Sequence, residues 1–356
     1  RTVTLHLLLA VLLSLAFLIA AGPIATLLHA PHLTGALRVM SAVLLLYGLY
    51  APLIGVLNGR RQFVLQAAFD VVAATLRTVG LALGAWWFLR RWGTGLEGAS
   101  WGFAASALAI TVAALGVVGL GRRGPGGPSW RHHLGYIVPV LTGQILLNLL
   151  LHADVNLLRA FAGRAASAAG LAPSAADPLV GAYRATQLYC FLPYQLLISV
   201  TFILFPLLSK AHHERDRQAV ALYVRVGVRL AMLLAGAMVA VTSGLPGPLL
   251  RLVFNAEFAR LGAEPMKLLT LGFGAFALFG IFTAVLNGID RQRESARVTA
   301  AAVTLIATLC VLWFRDAPFG AELLERAALA TSLGLALATL GAGWLVARHA
   351  GAVMAP

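Results

Sequence analysis

Charge is scarce in this chain, and negative charge is scarcest. Charged residues make up 11% of the 356 positions, with 13 Asp and Glu against 27 Lys and Arg, where soluble domains carry about 25% charged residues. Together with 60% hydrophobic content and a mean hydropathy of +0.86, this excludes a water-soluble fold, which could not hide so much apolar surface. The two long loops expected, Arg159 to Pro178 and Arg251 to Lys267, hold no cluster of acids or metal ligands, which argues against a membrane enzyme working on polyprenyl phosphates. Only two cysteines occur, Cys190 and Cys310, each inside an apolar run. They read as small core residues rather than a disulfide or a thiolate metal site. The weak period-two alternation of a barrel strand is missing too. The first residue is Arg1 rather than Met, and nothing about a signal segment follows from that.

What the chain does have is ten mainly apolar runs, at approximately 5–28, 36–57, 63–89, 99–120, 134–158, 179–208, 219–243, 266–287, 295–314 and 327–347. Each approaches or exceeds the roughly 20 residues that carry a helix through about 30 Å of hydrocarbon. Their Leu and Ala content suits helices, which satisfy their backbone groups internally. The expected class is an all-α polytopic membrane protein.

The runs are also duplicated. Val56-Leu57-Asn58-Gly59 returns as Val285-Leu286-Asn287-Gly288, 229 residues later, and Arg38 returns as Lys267 at the same offset of 229. Gly22-Pro23 and Gly247-Pro248 mark a third pair, 225 residues apart. Many transporters are built from such repeats. The Gly- and Pro-rich stretch Gly121 to Pro128 separates four runs from six, so the domains are read as the remainder of an N-terminal lobe over 1–120, a cytoplasmic linker over 121–132, and a C-terminal lobe over 133–356. Two runs lack a partner. Residue 133 projected back by 229 lands 96 residues before Arg1, so the expectation is a twelve-helix protein whose first two helices precede this chain.

Orientation is read from Lys and Arg in the short loops. With the linker cytoplasmic, that side carries Arg60, Arg61, Arg122, Arg123, Lys210, Arg215, Arg291, Arg293 and Arg348, among others, and the opposite side carries fewer, including Arg38, Arg90, Arg91, Arg251 and Arg315. The net charge of +14 is spread over these loops without a basic domain or an aromatic platform. Nucleic acid is therefore not an expected partner, and anionic membrane lipids are.

Gly181-Ala182-Tyr183-Arg184-Ala185, then Leu192-Pro193-Tyr194-Gln195, then Leu204-Phe205-Pro206-Leu207-Leu208-Ser209-Lys210, resembles the eighth helix of the polysaccharide (O-antigen type) flippase family. That family belongs to the multidrug/oligosaccharidyl-lipid/polysaccharide (MOP) exporter superfamily, and the resemblance extends over essentially the whole chain, with Asp154 matching an acid of the preceding helix. It implies a carrier that flips undecaprenyl-pyrophosphate-linked oligosaccharide from the cytoplasmic to the periplasmic leaflet of a bacterial inner membrane by alternating access. A polysaccharide polymerase would be a further partner. No cofactor, metal or covalent chemistry is implied. Lipid II flippases of the superfamily carry two more helices, and the chain ends at Pro356 after the twelfth-helix equivalent, which favours the polysaccharide branch over that alternative. A cation-coupled multidrug antiporter shares the fold but would need acids to receive its cationic cargo.

The candidate site residues follow from cost. An ionisable group at the bilayer centre costs about 2.5–3.5 kcal/mol on insertion scales, yet Asp70, Arg77, Asp154 and Arg184 lie within the runs. Asp70 and Arg77 share a helical stripe with Gln66, fitting either an ion pair or a cavity lining. Arg184 shares its face with Gln187, Gln195 and Ser199 and no acid, so its partner is either Asp154 or a substrate phosphate, which a guanidinium grips bidentately. Gln144, Asn148 and His152 recur every four residues, with Asn156 and Arg159 continuing that face and Asp154 pointing elsewhere. Such groups bind sugar hydroxyls or neighbouring helices, the latter being the expected role of His152. His132-His133 and His212-His213 lack a third ligand at suitable spacing. Pro139, Pro193 and Pro206 are expected to kink their helices.

Overall fold

A computed structural model describes residues 2–119 and 130–354, with side chains over 6–119, 141–201 and 203–349. Among these residues there are twelve α-helices, two short 3-10 turns and no strand. Ten helices are long and apolar enough to cross a membrane. The chain divides into two compact units, residues 1–138 and 139–356. Residues 121–129 of the stretch read as a linker lie outside the described residues, and its last three positions already belong to a helix that starts at Trp130.

The first unit contains α1 (Thr2–Leu27), α2 (Thr34–Gly59), α3 (Phe63–Trp92) and α4 (Gly95–Val118). α2 packs on both α1 and α4, and α3 packs on α4. Lipid is as apolar as leucine, so helices here are held by close backbone approach and by hydroxyl bonds between helices. Both devices are present. Ser14 Oγ donates to the Ser41 carbonyl at 2.6 Å, Ser106 Oγ to that of Leu76 at 2.7 Å and Thr111 Oγ1 to that of Leu46 at 3.3 Å. The α3–α4 seam joins two Gly-x-x-x-Gly pairs: a Cβ on Gly84 would collide with the Gly98 carbonyl, and one on Gly102 with the Gly80 carbonyl.

The second unit contains α5 (Trp130–Ala168, from Pro139 onward), α6 (Ala176–Cys190), α7 (Leu192–His213), α8 (Arg217–Gly244), α9 (Pro246–Val253), α10 (Ala256–Gly288), α11 (Gln292–Phe314) and α12 (Ala321–Met354). α10 is its axis and packs on α6, α7, α8, α9 and α12. Over half of its most apolar window is buried, 56% against 11% for α3. Cys190 and Cys310 are free thiols in the apolar core.

The duplication survives in backbone detail. Arg60 N–H donates to the Val56 carbonyl at 2.9 Å and Ile289 N–H to that of Val285 at 3.1 Å. One step on, Gln62 N–H reaches Leu57 at 2.9 Å and Arg291 N–H reaches Leu286 at 2.8 Å. This is a Schellman-type closure. Its left-handed residue is Arg61 in the first copy, with φ 58°, and Asp290 in the second, with φ 60°, a conformation that costs a non-glycine residue on the order of 1 kcal/mol. The next helix then starts at Phe63 in one copy and Gln292 in the other. Packing repeats as well, since α11 lies on α12 as α3 lies on α4, and α10 on α12 as α2 on α4.

Three expectations need correction. The run 179–208 is two helices, α6 and α7, parted at Phe191; Pro193, in the first turn of α7, has no N–H to give Tyr189, so the ladder loses a bond there and resumes with Gln195 N–H donating to the Phe191 carbonyl at 3.1 Å. The run 134–158 extends to Ala168, which shrinks the loop expected from Arg159 to Pro178. The loop expected between Arg251 and Lys267 holds the end of α9 and the first turns of α10. Pro206 does stand inside α7, while the Pro139 ring lies outside the described side chains.

Aromatic residues mark membrane boundaries. The Arg90 guanidinium lies 4.5 Å over the Trp86 ring at the end of α3, beside exposed Trp87 and Trp92, and Arg348 lies 5.5 Å over Trp344 near the end of α12. The glycine seam gives a direct test. Gly84→Val should separate α3 from α4 and cost roughly 1–3 kcal/mol through overpacking, read as a lowered thermal midpoint of the purified protein. Gly116→Val, where a Cβ meets nothing within 4 Å, should leave the midpoint within experimental scatter.

Candidate functional site

The polar centre of the second unit is Asp154 on α5, with a residue exposure of 1%. Its Oδ2 accepts from Tyr183 Oη at 3.0 Å, Gln187 Nε2 at 2.7 Å and Thr331 Oγ1 at 3.2 Å, and its Oδ1 accepts from the Val155 N–H at 2.8 Å. Tyr183 and Gln187 are four apart on α6, hence on one face of that helix, and Thr331 comes from α12. All three donors are buried. A carboxylate left bare in a low-dielectric interior would be very costly; here three side-chain donors and one backbone donor replace its water.

Arg184 follows Tyr183 directly, so it is rotated about 100° around α6 and stands exposed while its neighbours are buried. Its Nη1 donates to Gln187 Oε1 at 2.8 Å. The amide of Gln187 therefore joins guanidinium to carboxylate, taking a bond from Arg184 and giving one to Asp154. The two charges form no direct ion pair. Arg184 is thus held at its base by a buried network, and the rest of its fork is open to whatever lies beyond α6.

The rest of α6 is firmly seated. Thr186 Oγ1 bonds the Gly262 carbonyl at 3.2 Å, and Cys190 Sγ lies 3.2 Å from Thr270 Oγ1, both on α10. At the break between α6 and α7, the Phe191 ring packs with Tyr194, Phe273 and Phe276 at centroid distances of 5.2, 5.5 and 6.3 Å. The discontinuity is consequently a fixed feature with its own aromatic seat.

The other predicted residues separate into groups. Asn148 is exposed and donates to the Gln144 carbonyl of its own helix at 2.8 Å. His152 is half-buried and Asn156 exposed, so this side of α5 is more open than the side carrying Asp154. Arg159 lies on that face, seven residues after His152, but is covered. It is 6% exposed, paired with Asp177 at 2.9 Å and bonded to the Pro173 carbonyl at 3.3 Å, because the turn after α5 folds back over it. In the first unit, Asp70 and Arg77 are both exposed on α3 and form no ion pair among the described residues. Seven residues separate them by roughly 10 Å along the axis, too far for direct contact. Gln66 is half-buried near the start of the same helix.

Sequence reasoning missed Tyr183 and Thr331 as the groups that hold Asp154. Tyr183 had a signal in its spacing from Gln187. Thr331 had none, since it stands 177 residues from its acceptor. No group of three or more His, Cys, Asp or Glu suited to a metal ion occurs among the described residues.

No family model matches the chain, and no curated protein sequence does. Solved structures do match. The chain is similar to the lipid II flippase MurJ in an inward closed conformation, with a TM-score of 0.76 and 14% identity over 97% of this chain and 71% of that one. It is similar to an inward-facing multidrug resistance MATE family transporter of the MOP superfamily, with a TM-score of 0.74 and 14% identity over 99% and 80%. A third likeness is to a MOP superfamily transporter from Pyrococcus furiosus Vc1, reported with a binding pocket of reverse polarity that suggests a different function, at a TM-score of 0.62 and 14% identity over 98% and 78%. At such identity these likenesses establish the fold, a multi-pass helical membrane architecture shared with MOP superfamily transporters.

The network around Asp154 predicts a graded response. Asp154→Ala strands three buried donors and should cost on the order of 3 kcal/mol or more, at about 1–3 kcal/mol per stranded group; Asp154→Asn keeps an acceptor and should cost less. Thermal unfolding in detergent reads both, and an Ala variant as stable as the parent would contradict the network.

Proposed function

We propose that the chain is a carrier that flips a lipid-linked pyrophosphate oligosaccharide of the undecaprenyl type from the cytoplasmic to the periplasmic leaflet of a bacterial inner membrane, for polysaccharide assembly, by alternating access of its two repeated lobes. The observation that carries this reading is Arg184: a guanidinium exposed in the eighth-helix segment, without an acid of its own, and oriented by Gln187 against a buried carboxylate. A cation at membrane depth needs compensation. A phosphate group supplies it, because its oxygens match the guanidinium fork. The site lies in a fold shared with a lipid II flippase, which supports the lipid-linked cargo class without specifying its sugar.

The polar groups on the open side of α5, Asn148 and His152 with Gln144 and Asn156, offer donors and acceptors for sugar hydroxyls. In the N-terminal lobe, Asp70 and Arg77 are exposed and unpaired, which fits a wet lining better than the ion-paired ridge that was the other reading of their spacing. The antiporter reading has the same fold behind it, but the acid it would use in the second unit is already saturated by four donors. Of the two acids within the runs, Asp70 remains for a cationic cargo. The sign of the open charge therefore favours an anionic one.

In proteoliposomes loaded with a fluorescent polyprenyl-pyrophosphate oligosaccharide, Arg184→Gln should slow flipping by roughly ten- to a hundredfold, the equivalent of one charge-assisted hydrogen bond at about 1.5–3 kcal/mol. Arg184→Lys should fall between, and both should reach the membrane at parental levels. Gln187→Leu, which leaves the cation in place without its brace, should lose less than Arg184→Gln. Flipping at the parental rate by Arg184→Gln would remove the basis of the proposal, and efflux of a cationic dye that depends on Asp70 would replace it with the antiporter.

A further inference from the structure

Beyond Arg217 at its first position, α8 carries Arg225 and Arg229, one helical turn apart on the same side. The helix buries Val220, Val224, Gly227, Ala231 and Ala235 against its own unit, and at 100° per residue both arginines fall on the opposite side. Both are exposed, and neither meets an acid among the described residues. The acids at the start of α8 are already engaged, Asp216 as the cap that accepts from the Ala219 N–H at 2.9 Å and Glu214 with Lys210 at 3.9 Å.

Depth makes these cations unusual. α8 has 28 residues, from Arg217 to Gly244, and is therefore roughly 42 Å long. With about 30 Å of hydrocarbon centred on it, Arg225 lies about 7 Å below the nearer interface and Arg229 about 13 Å, close to the midplane. A snorkelling arginine reaches the interface from the first depth but not from the second. The residues flanking the pair are large, apolar and bare: Leu222 is 55% exposed, Val226 53% and Leu233 67%. Such a surface is suited to acyl chains rather than to water.

We infer that this side of α8 is a binding site for an anionic membrane phospholipid of the leaflet nearest Arg217, the cytoplasmic one in the orientation proposed above. Its phosphate is drawn below the interface onto Arg225 and Arg229, and its acyl chains lie along Leu222, Val226 and Leu233. The amphiphile matches the surface in both parts, since two uncompensated cations demand an anion and the flanking side chains demand hydrocarbon. None of its residues bonds to the Arg184 network among the described residues, and the inference does not depend on the identity of the cargo.

Native mass spectrometry of the full chain in detergent tests it, with dioleoylphosphatidylglycerol and dioleoylphosphatidylcholine as separate probes. The parent protein should retain phosphatidylglycerol in preference to phosphatidylcholine. Arg225→Gln with Arg229→Gln should weaken phosphatidylglycerol binding about thirtyfold, from two cations, with phosphatidylcholine adducts unchanged; Arg225→Lys with Arg229→Lys should retain most of the preference. Arg315→Gln, at a distant helix end, serves as the control and should bind as the parent does. Should the double Gln variant fail to fold, Arg229→Gln alone should still show a loss of several-fold. Parental phosphatidylglycerol binding by these variants, or equal loss of both lipids, would overturn the inference. So would a loss of cargo flipping with lipid binding intact, because the stripe would then line the transport path.

Discussion

Inside hydrocarbon, a polar group has to find its partner within the protein, and this chain is organised around that constraint. Hydroxyls on its spans turn back to carbonyls one helical turn earlier, as Thr75, Thr78, Thr304 and Thr308 do, or cross to a neighbouring helix, as Ser14, Ser106 and Thr339 do. Asp154 is the extreme case. No guanidinium touches it, and four donors on three helices share its charge. A buried charge satisfied by neutral dipoles fixes those helices in one mutual position, because any rotation of α5, α6 or α12 would strand a donor. The rigidity of α6, and with it the direction of Arg184, follows from that requirement.

The duplication shows how one scaffold supports two uses. At the repeat offset of 229, Gly102 on α4 corresponds to Thr331 on α12. In the first unit the absence of a side chain lets α4 press its backbone against α3. In the second, a hydroxyl at the same place reaches Asp154. The partner positions diverge accordingly, Gly80 and Gly84 on α3 corresponding to Leu309 and Trp313 on α11, whose bulk forbids the close crossing. The shared Schellman turn preserves the chain path, while the seam beneath it has exchanged backbone contact for polar anchoring.

The spans and the repeat were legible in the sequence because both are written in long-range composition, which tertiary context cannot override once some 20 apolar residues stand together. The break at Phe191 was half legible: Pro193 was noticed as an interruption, and the backbone at Phe191 stays helical through it (φ −79°, ψ −14°), but the run was still drawn as one span. That Arg159 is covered was not legible, because a helical wheel carries no information about a loop folding back over the helix end. Thr331 was invisible, being far along the chain from its acceptor. Arg225 and Arg229 were legible and unread, since a run that is apolar on average conceals two charges. The glycine pairs on α3 and α4 were likewise present as letters without a stated partner.

The distribution of satisfied and open charge decides the sign of what the second unit can meet. Its one deeply buried acid is saturated from within, so the charge it presents at membrane depth is carried by Arg184, Arg225 and Arg229. The first unit differs, presenting Asp70 and Arg77 on one helix, an acid and a base that offset each other in net charge without touching. In the second unit a cationic ligand would meet these three repelling guanidinium groups and an Asp154 already saturated; an anionic amphiphile would meet the same three cations and, on α8, a bare apolar surface for its tail. Of the cations, only Arg184 is braced by a hydrogen-bonded neighbour anchored in the core. Arg225 and Arg229 keep their rotamer freedom and suit a ligand held by charge and hydrocarbon contact rather than by orientation. A fixed cation can select the geometry of a headgroup where flexible ones can only attract it, and that difference distinguishes the transport role proposed for Arg184 from the lipid-binding role inferred for Arg225 and Arg229.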